Sequence, residues 1–289
     1  MTYSGGDMDE ALRIHGALER LRGRLAREER LIVGLSGGVD SCLLAAVAGE
    51  VLGERAVAVT AVSPSLPAAE REFARSFARA RGLRHIEVCT DEQDRPEYRA
   101  NGGDRCYHCK SALFDALAPL AELSGAAVAL GTNLDDLGDH RPGLRAAAER
   151  GSVAPLVDAG LDKATVRAVA RLLELDLGVA DKPAAACLAS RVAYGDPVTP
   201  EVLARVERAE ASVKALGFAD CRVRAHAEGT VARLELPARD IDRAVTVRAE
   251  LDAAVRRAGF VFCALDLAGF SSGRMNVLLG MPAVRGARA

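Results

Sequence analysis

The sequence predicts a doubly wound α/β domain, a parallel sheet with helices on both faces, followed by a smaller C-terminal α+β domain. Three observations carry this prediction. Apolar runs of strand length alternate with longer stretches of helical period up to about residue 175. Strands separated by helices imply right-handed βαβ crossovers and therefore a parallel sheet with both faces covered. From residue 199 the order changes to helix, strand, strand, helix, strand, which suits a small layered α+β unit.

The first helix is expected over about 8–27, then a strand at 30–35 on the apolar run Leu31–Leu35. The helix-like run Cys42–Leu52 gives a helix at 41–52, followed by a strand at 56–61, a helix at 67–81 and a strand at 84–89 on His85–Cys89. A helix at 107–123 and a strand at 126–131, containing Val128–Leu130, complete the sheet, and a helix at 162–175 covers it. After the loop Asp181–Pro197 come a helix at 199–217, strands Cys221–Ala225 and Thr230–Leu236, a helix over Ala238–Ala258 and a last strand, Val261–Leu267. The expected domains are 1–180 and 181–289, and the terminal Arg-Gly-Ala-Arg-Ala is expected to fray.

Composition narrows the function classes. With 289 residues, 49% of them hydrophobic, the chain can bury more than one core. No run approaches the ~20 apolar residues of a membrane span, and the start Gly-Gly-Asp-Met-Asp-Glu lacks the basic and apolar parts of a signal peptide, so a cytoplasmic protein without a membrane partner is expected. Thirty-eight basic residues against 40 acidic ones give a formal charge of −2, which offers no global pull toward nucleic acid. Anion recognition must then be local. Seven cysteines without a secretory signal point to reduced thiols, ligands or catalytic groups rather than a disulfide framework. Cys42, Cys89, Cys221 and Cys263 are expected to be small buried side chains, leaving Cys106, Cys109 and Cys187 as candidates for chemistry.

The stretch Ser36-Gly37-Gly38-Val39-Asp40-Ser41 packs a strand end, a glycine turn and a helix start into a few residues. Backbone N–H groups and a positive helix end then surround one concavity, with the Ser36 and Ser41 hydroxyls as further donors, which suits a phosphate-bearing anion. The Gly-Lys-Ser/Thr ending of a Walker loop is missing. The stretch resembles the SGGxDS signature of the PP-loop ATP pyrophosphatases, which cleave ATP to AMP and pyrophosphate. Ser63 and the segment Gly131-Thr132-Asn133-Leu134-Asp135-Asp136 fall at other strand ends of the same crevice. Asp40 is the candidate ligand for Mg²⁺, with the neighbouring carboxylates Asp135 and Asp136 beside it.

Arg105-Cys106-Tyr107-His108-Cys109-Lys110 and Ala186-Cys187-Leu188-Ala189-Ser190-Arg191 distinguish this chain within that group. Together with Gly138-Asp139-His140-Arg141-Pro142-Gly143-Leu144, Tyr194-Gly195, Leu265-Asp266-Leu267 and Ser272-Gly273-Arg274-Met275-Asn276, they resemble the LarE family over nearly the whole chain. These are ATP-dependent sulfur transferases of nickel-pincer nucleotide synthesis. The resemblance implies ATP and Mg²⁺ as cofactors and a nicotinate-derived substrate, pyridinium-3,5-biscarboxylic acid mononucleotide. One carboxylate would be adenylylated, with Lys110 or Arg191 stabilising charge on the phosphoryl group, and then attacked by sulfur. The sulfur would come from Cys187 itself or from a [4Fe-4S] cluster held by Cys106, Cys109 and Cys187; zinc or a redox pair fits the same spacing.

Arg222 and Arg224 stand two apart on a predicted strand and so share a face, as a pair of phosphate-binding forks or as a solvated face paired with Glu228 or Glu235. The family resemblance assigns such a pair to the substrate phosphate, with Arg191 and Glu210 lining the site, and implies a homo-oligomer. Two other functions suit the ATP loop: a tRNA-thiolating enzyme, against which the charge of −2 counts, and a non-catalytic nucleotide and metal sensor, against which the intact Ser36, Asp40 and Ser41 count.

Overall fold

The structure, a computed structural model, describes residues 5–138, 142–183, 186–271 and 274–280. Asp139, His140, Arg141, Ser272, Gly273 and the carboxyl-terminal tail lie outside them. The chain divides into two compact units, one made of residues up to Thr90 and from Cys109 to the 180s, the other of Asp91–His108 and the residues from Ala186 onward.

The first unit contains α1 (Gly5–Leu25), β1 (Leu31–Gly34), α2 (Val39–Leu52), β2 (Ala56–Val62), α3 (Ala68–Ala80) and β3 (His85–Cys89). After α4 (Pro96–Arg99), which belongs to the second unit, it continues with most of α5 (Arg105–Ser124), then β4 (Ala127–Ala129), α6 (Pro142–Glu149), α7 (Pro155–Asp158) and α8 (Lys163–Leu172). Its four strands run parallel in the order β3-β2-β1-β4. This is the expected doubly wound arrangement. The chain steps outward from β1 to β2 to β3 and returns on the other side of β1 as β4, so strand order reverses between β1 and β4, where ligands sit in such sheets. Helix α2 is apolar nearly all round and buries Leu43, Leu44, Val47 and Ala48 in the core shared with α1 and α8, which fixes its first turn firmly beneath β1's exit loop. Among the described residues no helix is long and apolar enough to cross a membrane.

The second unit carries α9 (Pro200–Ala215), β5 (Arg222–His226), β6 (Val231–Glu235), α10 (Ile241–Thr246), α11 (Arg248–Arg257) and β7 (Phe262–Leu265). β5 and β6 form an antiparallel hairpin, and β7 lies parallel to β6 after the helical crossover. The expected single helix over 238–258 is broken at Val247, which has φ −106° and ψ 27°. Thr246 there turns its hydroxyl onto the Arg243 carbonyl at 2.7 Å, a local bond that competes with the helix ladder.

Residues 91–108 were expected in the first domain, yet they cluster with the second unit. Asn101 supplies the reason. Fully buried in the left-handed region at φ 56°, it donates its side-chain amide to the carbonyls of Ala193 at 2.8 Å and Asp196 at 3.0 Å. Backbone bonds from Gly195 to Asn101 and from Val198 to Arg99 extend the seam.

Candidate active site

The nucleotide loop is built as its residue types require. Gly37 takes φ 79°, and a Cβ there would meet Glu70 and Phe73 of α3 at 3.3–3.4 Å, so only glycine fits. Gly38 caps α2 through its extended backbone, and its carbonyl accepts from the Cys42 N–H and the Ser41 hydroxyl, both at 3.0 Å. The Ser41 oxygen in turn accepts from the Ser36 N–H at 3.2 Å and lies 3.1 Å from the Ser36 hydroxyl. The loop therefore closes on itself over the start of α2. Across from it, Gly131 follows β4 so closely to α2 that a Cβ would sit 2.8 Å from the Ser41 nitrogen. Asn133, buried beside Gly131 and Thr132, donates to Asp40 at 2.9 Å, joining the two expected segments.

Asp40 is not free. Its second oxygen takes the ammonium of Lys163, from the first turn of α8, so a cation at this carboxylate would have to displace that lysine. Asp135 and Asp136 accept from the backbone N–H groups of Lys163 and Asn133, both at 3.0 Å, and act as turn caps rather than as an open carboxylate pair. A second lysine, Lys182, donates to the Gly37 carbonyl at 2.9 Å, pairs with Glu70 and stands 3.6 Å over the Phe73 ring. Neither Lys163 nor Lys182 is marked in the sequence, because a lone lysine outside a motif carries no signal until the fold brings it to the loop. Ser63 caps its own turn, accepting from the Ser65 N–H at 3.2 Å.

The second unit holds Arg191, Arg222 and Arg224 and two of the three candidate cysteines, Cys106 and Cys187. Arg191 is buried against Glu210 at 3.0 Å and donates to the carbonyl of Cys187 at 3.0 Å, so it shapes the cysteine loop from behind. Glu210 also accepts from the Val223 N–H of β5 at 3.1 Å. Arg222 and Arg224 do share a face of β5, but they differ in commitment. Arg224 is buried with both Nε and Nη2 on Glu235, at 2.9 and 2.8 Å, the anticipated pairing but in the interior rather than on a solvated face. Arg222 pairs with no carboxylate among the described residues; it donates to its neighbour's carbonyl and stacks 5.2 Å from the Phe270 ring. Burial and the nearby Arg191 lower its pKa, the signature of a guanidinium short of negative charge.

Cys106 and Cys187 are exposed and Cys109 is half-buried. Among the described residues no group of three or more histidine, cysteine, aspartate and glutamate side chains is gathered to hold a metal ion. The three-thiolate cluster, and zinc with it, therefore find no support in this donor set, whose cysteines stand on the first turn of α5 and just ahead of the 3-10 turn Leu188–Arg191. Of the other cysteines, burial pushes Cys42 and Cys221 up to about 12, as inert core thiols, whereas Cys89 is exposed at the end of the edge strand β3, contrary to expectation.

Comparison with known proteins gives these loops a context. The asparagine synthase family profile matches residues 18–101, from within α1 past the glycine loop to just beyond α4. An uncharacterised Synechocystis protein is 44% identical over 92% of this chain and 99% of its own length. The pyridinium-3,5-bisthiocarboxylic acid mononucleotide synthase of Lactiplantibacillus plantarum is 35% identical over 86% of this chain and 89% of its own. The chain belongs to the LarE family. As a LarE-family protein with a PP-loop it is an ATP-using enzyme, and 94 of its residues are also 35% identical to part of a Corynebacterium jeikeium GMP synthase. Two of the cations expected at the phosphoryl group read differently in this LarE-family structure: Arg191 is tied to Glu210, and Lys110 is half-buried on α5 without an ion pair among the described residues.

Proposed function

We propose that the chain is an ATP-dependent sulfur transferase that adenylylates one carboxylate of pyridinium-3,5-biscarboxylic acid mononucleotide and exchanges a carboxylate oxygen for sulfur, releasing pyrophosphate and AMP. The observation that carries this reading is the joined loop pair, in which Asn133 after β4 holds Asp40 after β1 at the sheet's switch point.

The residues divide the work by chemistry. The Ser36–Ser41 loop offers N–H and hydroxyl donors to the phosphates, while Gly131 and Thr132 leave room for the nucleoside at β4. Asp40 would hold Mg²⁺, which would supply positive charge for the pyrophosphate; Lys163, once displaced from Asp40, and Lys182 add positive charge beside the loop. A carboxylate becomes an electrophile only as the mixed anhydride with AMP, which anionic sulfur then displaces. Cys187, exposed and backed by Arg191, is the sulfur-bearing residue in this reading. Arg222, the arginine of its face left without a carboxylate among the described residues, takes the substrate phosphate, and Arg224, Arg191 and Glu210 hold the strand and loop around it. A formal charge of −2 favours this small anionic substrate over tRNA. Self-association is part of the reading, β7 being an edge strand with Phe262 60% exposed.

The test is a product analysis with ATP, Mg²⁺ and the biscarboxylate mononucleotide. Pyrophosphate release that depends on the mononucleotide is expected, falling about a hundredfold or more in Asp40→Asn. Formation of ADP, or release indifferent to the mononucleotide, would overturn the proposal.

A further inference from the structure

Arg105 is a buried cation with no counter-ion among the described residues. Its guanidinium is 4% exposed, donates from Nη1 to the Asn101 side-chain oxygen and to the Ala189 carbonyl at 3.0 Å, and lies 5.4 Å from the centre of the Tyr194 ring. Among the described residues it pairs with no carboxylate, whereas the two other arginines buried to this degree each have one: Arg191 has Glu210 and Arg224 has Glu235. Removing a charge from water is costly unless an opposite charge and hydrogen bonds replace the solvent. A guanidinium given only neutral acceptors therefore marks a place where negative charge arrives. The hydrogen bonds it makes among the described residues both leave from Nη1, to neutral acceptors.

The surroundings identify the kind of anion. Ala189 is two residues from Cys187, and Cys106 is the next residue in the chain. Burial pulls the pKa of Arg105 down, while the anionic forms of Cys187 first, then Cys106, Tyr194 and Tyr98, raise it above the ordinary value. Both thiols are exposed, so a reagent or sulfur donor can reach them. The guanidinium itself cannot move aside, because Asn101 is locked by the carbonyls of Ala193 and Asp196.

We propose that Arg105 is the fixed counter-charge for anionic sulfur at Cys187 and Cys106, whether a cysteine thiolate or a hydrosulfide. The inference rests on the sulfur-transfer function proposed above and names the residue that holds the nucleophile. In that step a sulfur lone pair forms the C–S bond as the C–O bond to AMP breaks, and AMP leaves with the bonding electrons. Negative charge thus passes from sulfur to the AMP phosphate. A Cys187 thiolate gives a thioester, from which loss of the Cα proton to a base and breakage of the Cβ–S bond release the thiocarboxylate and leave dehydroalanine, whereas a hydrosulfide gives a thiocarboxylic acid that loses its proton to water. Arg105 acts through the sulfur and is a positioning residue.

Iodoacetate and iodoacetamide, similar in size but anionic and neutral, test this on the full chain. The ratio of their rates at one thiol cancels that thiol's own ionisation and reports local charge. At Cys187 and Cys106 the iodoacetate-to-iodoacetamide ratio should be about fivefold higher in the folded protein than in the urea-unfolded chain. It should persist in Arg105→Lys and vanish in Arg105→Gln. An equal ratio in folded and unfolded wild type, or a raised ratio that survives Arg105→Gln, overturns the inference; the wild-type comparison decides even if a variant fails to fold. Cys187→Ala supplied with ATP, mononucleotide and hydrosulfide separates the sources, thiocarboxylate meaning hydrosulfide and its absence meaning the Cys187 thiolate. The alkylation ratios use neither ATP nor substrate, so absence of turnover would sink the proposed function while leaving this test intact.

Discussion

A single added carbon at Gly131 would drive a Cβ to 2.8 Å from the Ser41 nitrogen and 3.0 Å from the Asp40 carbonyl carbon, backbone atoms at the head of a buried helix that cannot yield. Gly131→Ala should cost about 1–3 kcal/mol in urea unfolding and weaken ATP binding, whereas Gly138→Ala, with open space at its Cβ, should change neither. The arginines separate by the same logic. Arg191→Ala strands the buried Glu210 and should cost about 3–5 kcal/mol in stability, while Arg222→Ala, which breaks no ion pair among the described residues, should change stability by under about 0.5 kcal/mol and appear instead as a raised KM for the mononucleotide. Urea midpoints and steady-state kinetics on the two variants check the contrast.

At the level of elements, α3 is tied to the edge strand β3 by Glu87, which accepts paired bonds from Arg71 and Arg75 at 2.6–3.0 Å. These bonds hold the Glu87 carboxyl down at about 2. A folded pKa below the unfolded one stabilises the protein above the unfolded value, and the contribution is lost as pH falls toward about 2. The side chain is 20% exposed, so the tie is worth about 1 kcal/mol or less. Glu87→Gln should therefore narrow the stability gap to wild type as the solution is acidified, and a constant gap in urea midpoints would contradict the assignment. The start of α8, which delivers Lys163 to Asp40, is capped by Asp162 accepting from the Thr165 N–H at 2.7 Å. Asp162→Ala should cost about 1 kcal/mol by urea unfolding.

For the molecule as a whole, what the sequence could reveal was what local chemistry determines. Continuous apolar runs such as Leu31–Val33 mark buried parallel strands, and the Ser36–Ser41 glycine turn and Gly131-Thr132-Asn133 announce themselves because each needs small or hydroxyl residues at fixed spacing. What stayed hidden depends on contacts made at long range. Asn101 gives no sign in the chain that it will bind carbonyls more than ninety residues away and draw 91–108 into the second unit. Arg222 and Arg224 were placeable on one face, but which of them Glu235 would claim was decided by packing across the hairpin. Lys163 and Lys182 reach the loop from far along the chain. The central claim, that the joined loops activate a carboxylate for attack by sulfur, is tested most directly with mononucleotide carrying heavy oxygen in its carboxylates. Adenylylation followed by displacement predicts heavy oxygen in the phosphate of the AMP released and one oxygen replaced by sulfur in the product; AMP free of the label would contradict it.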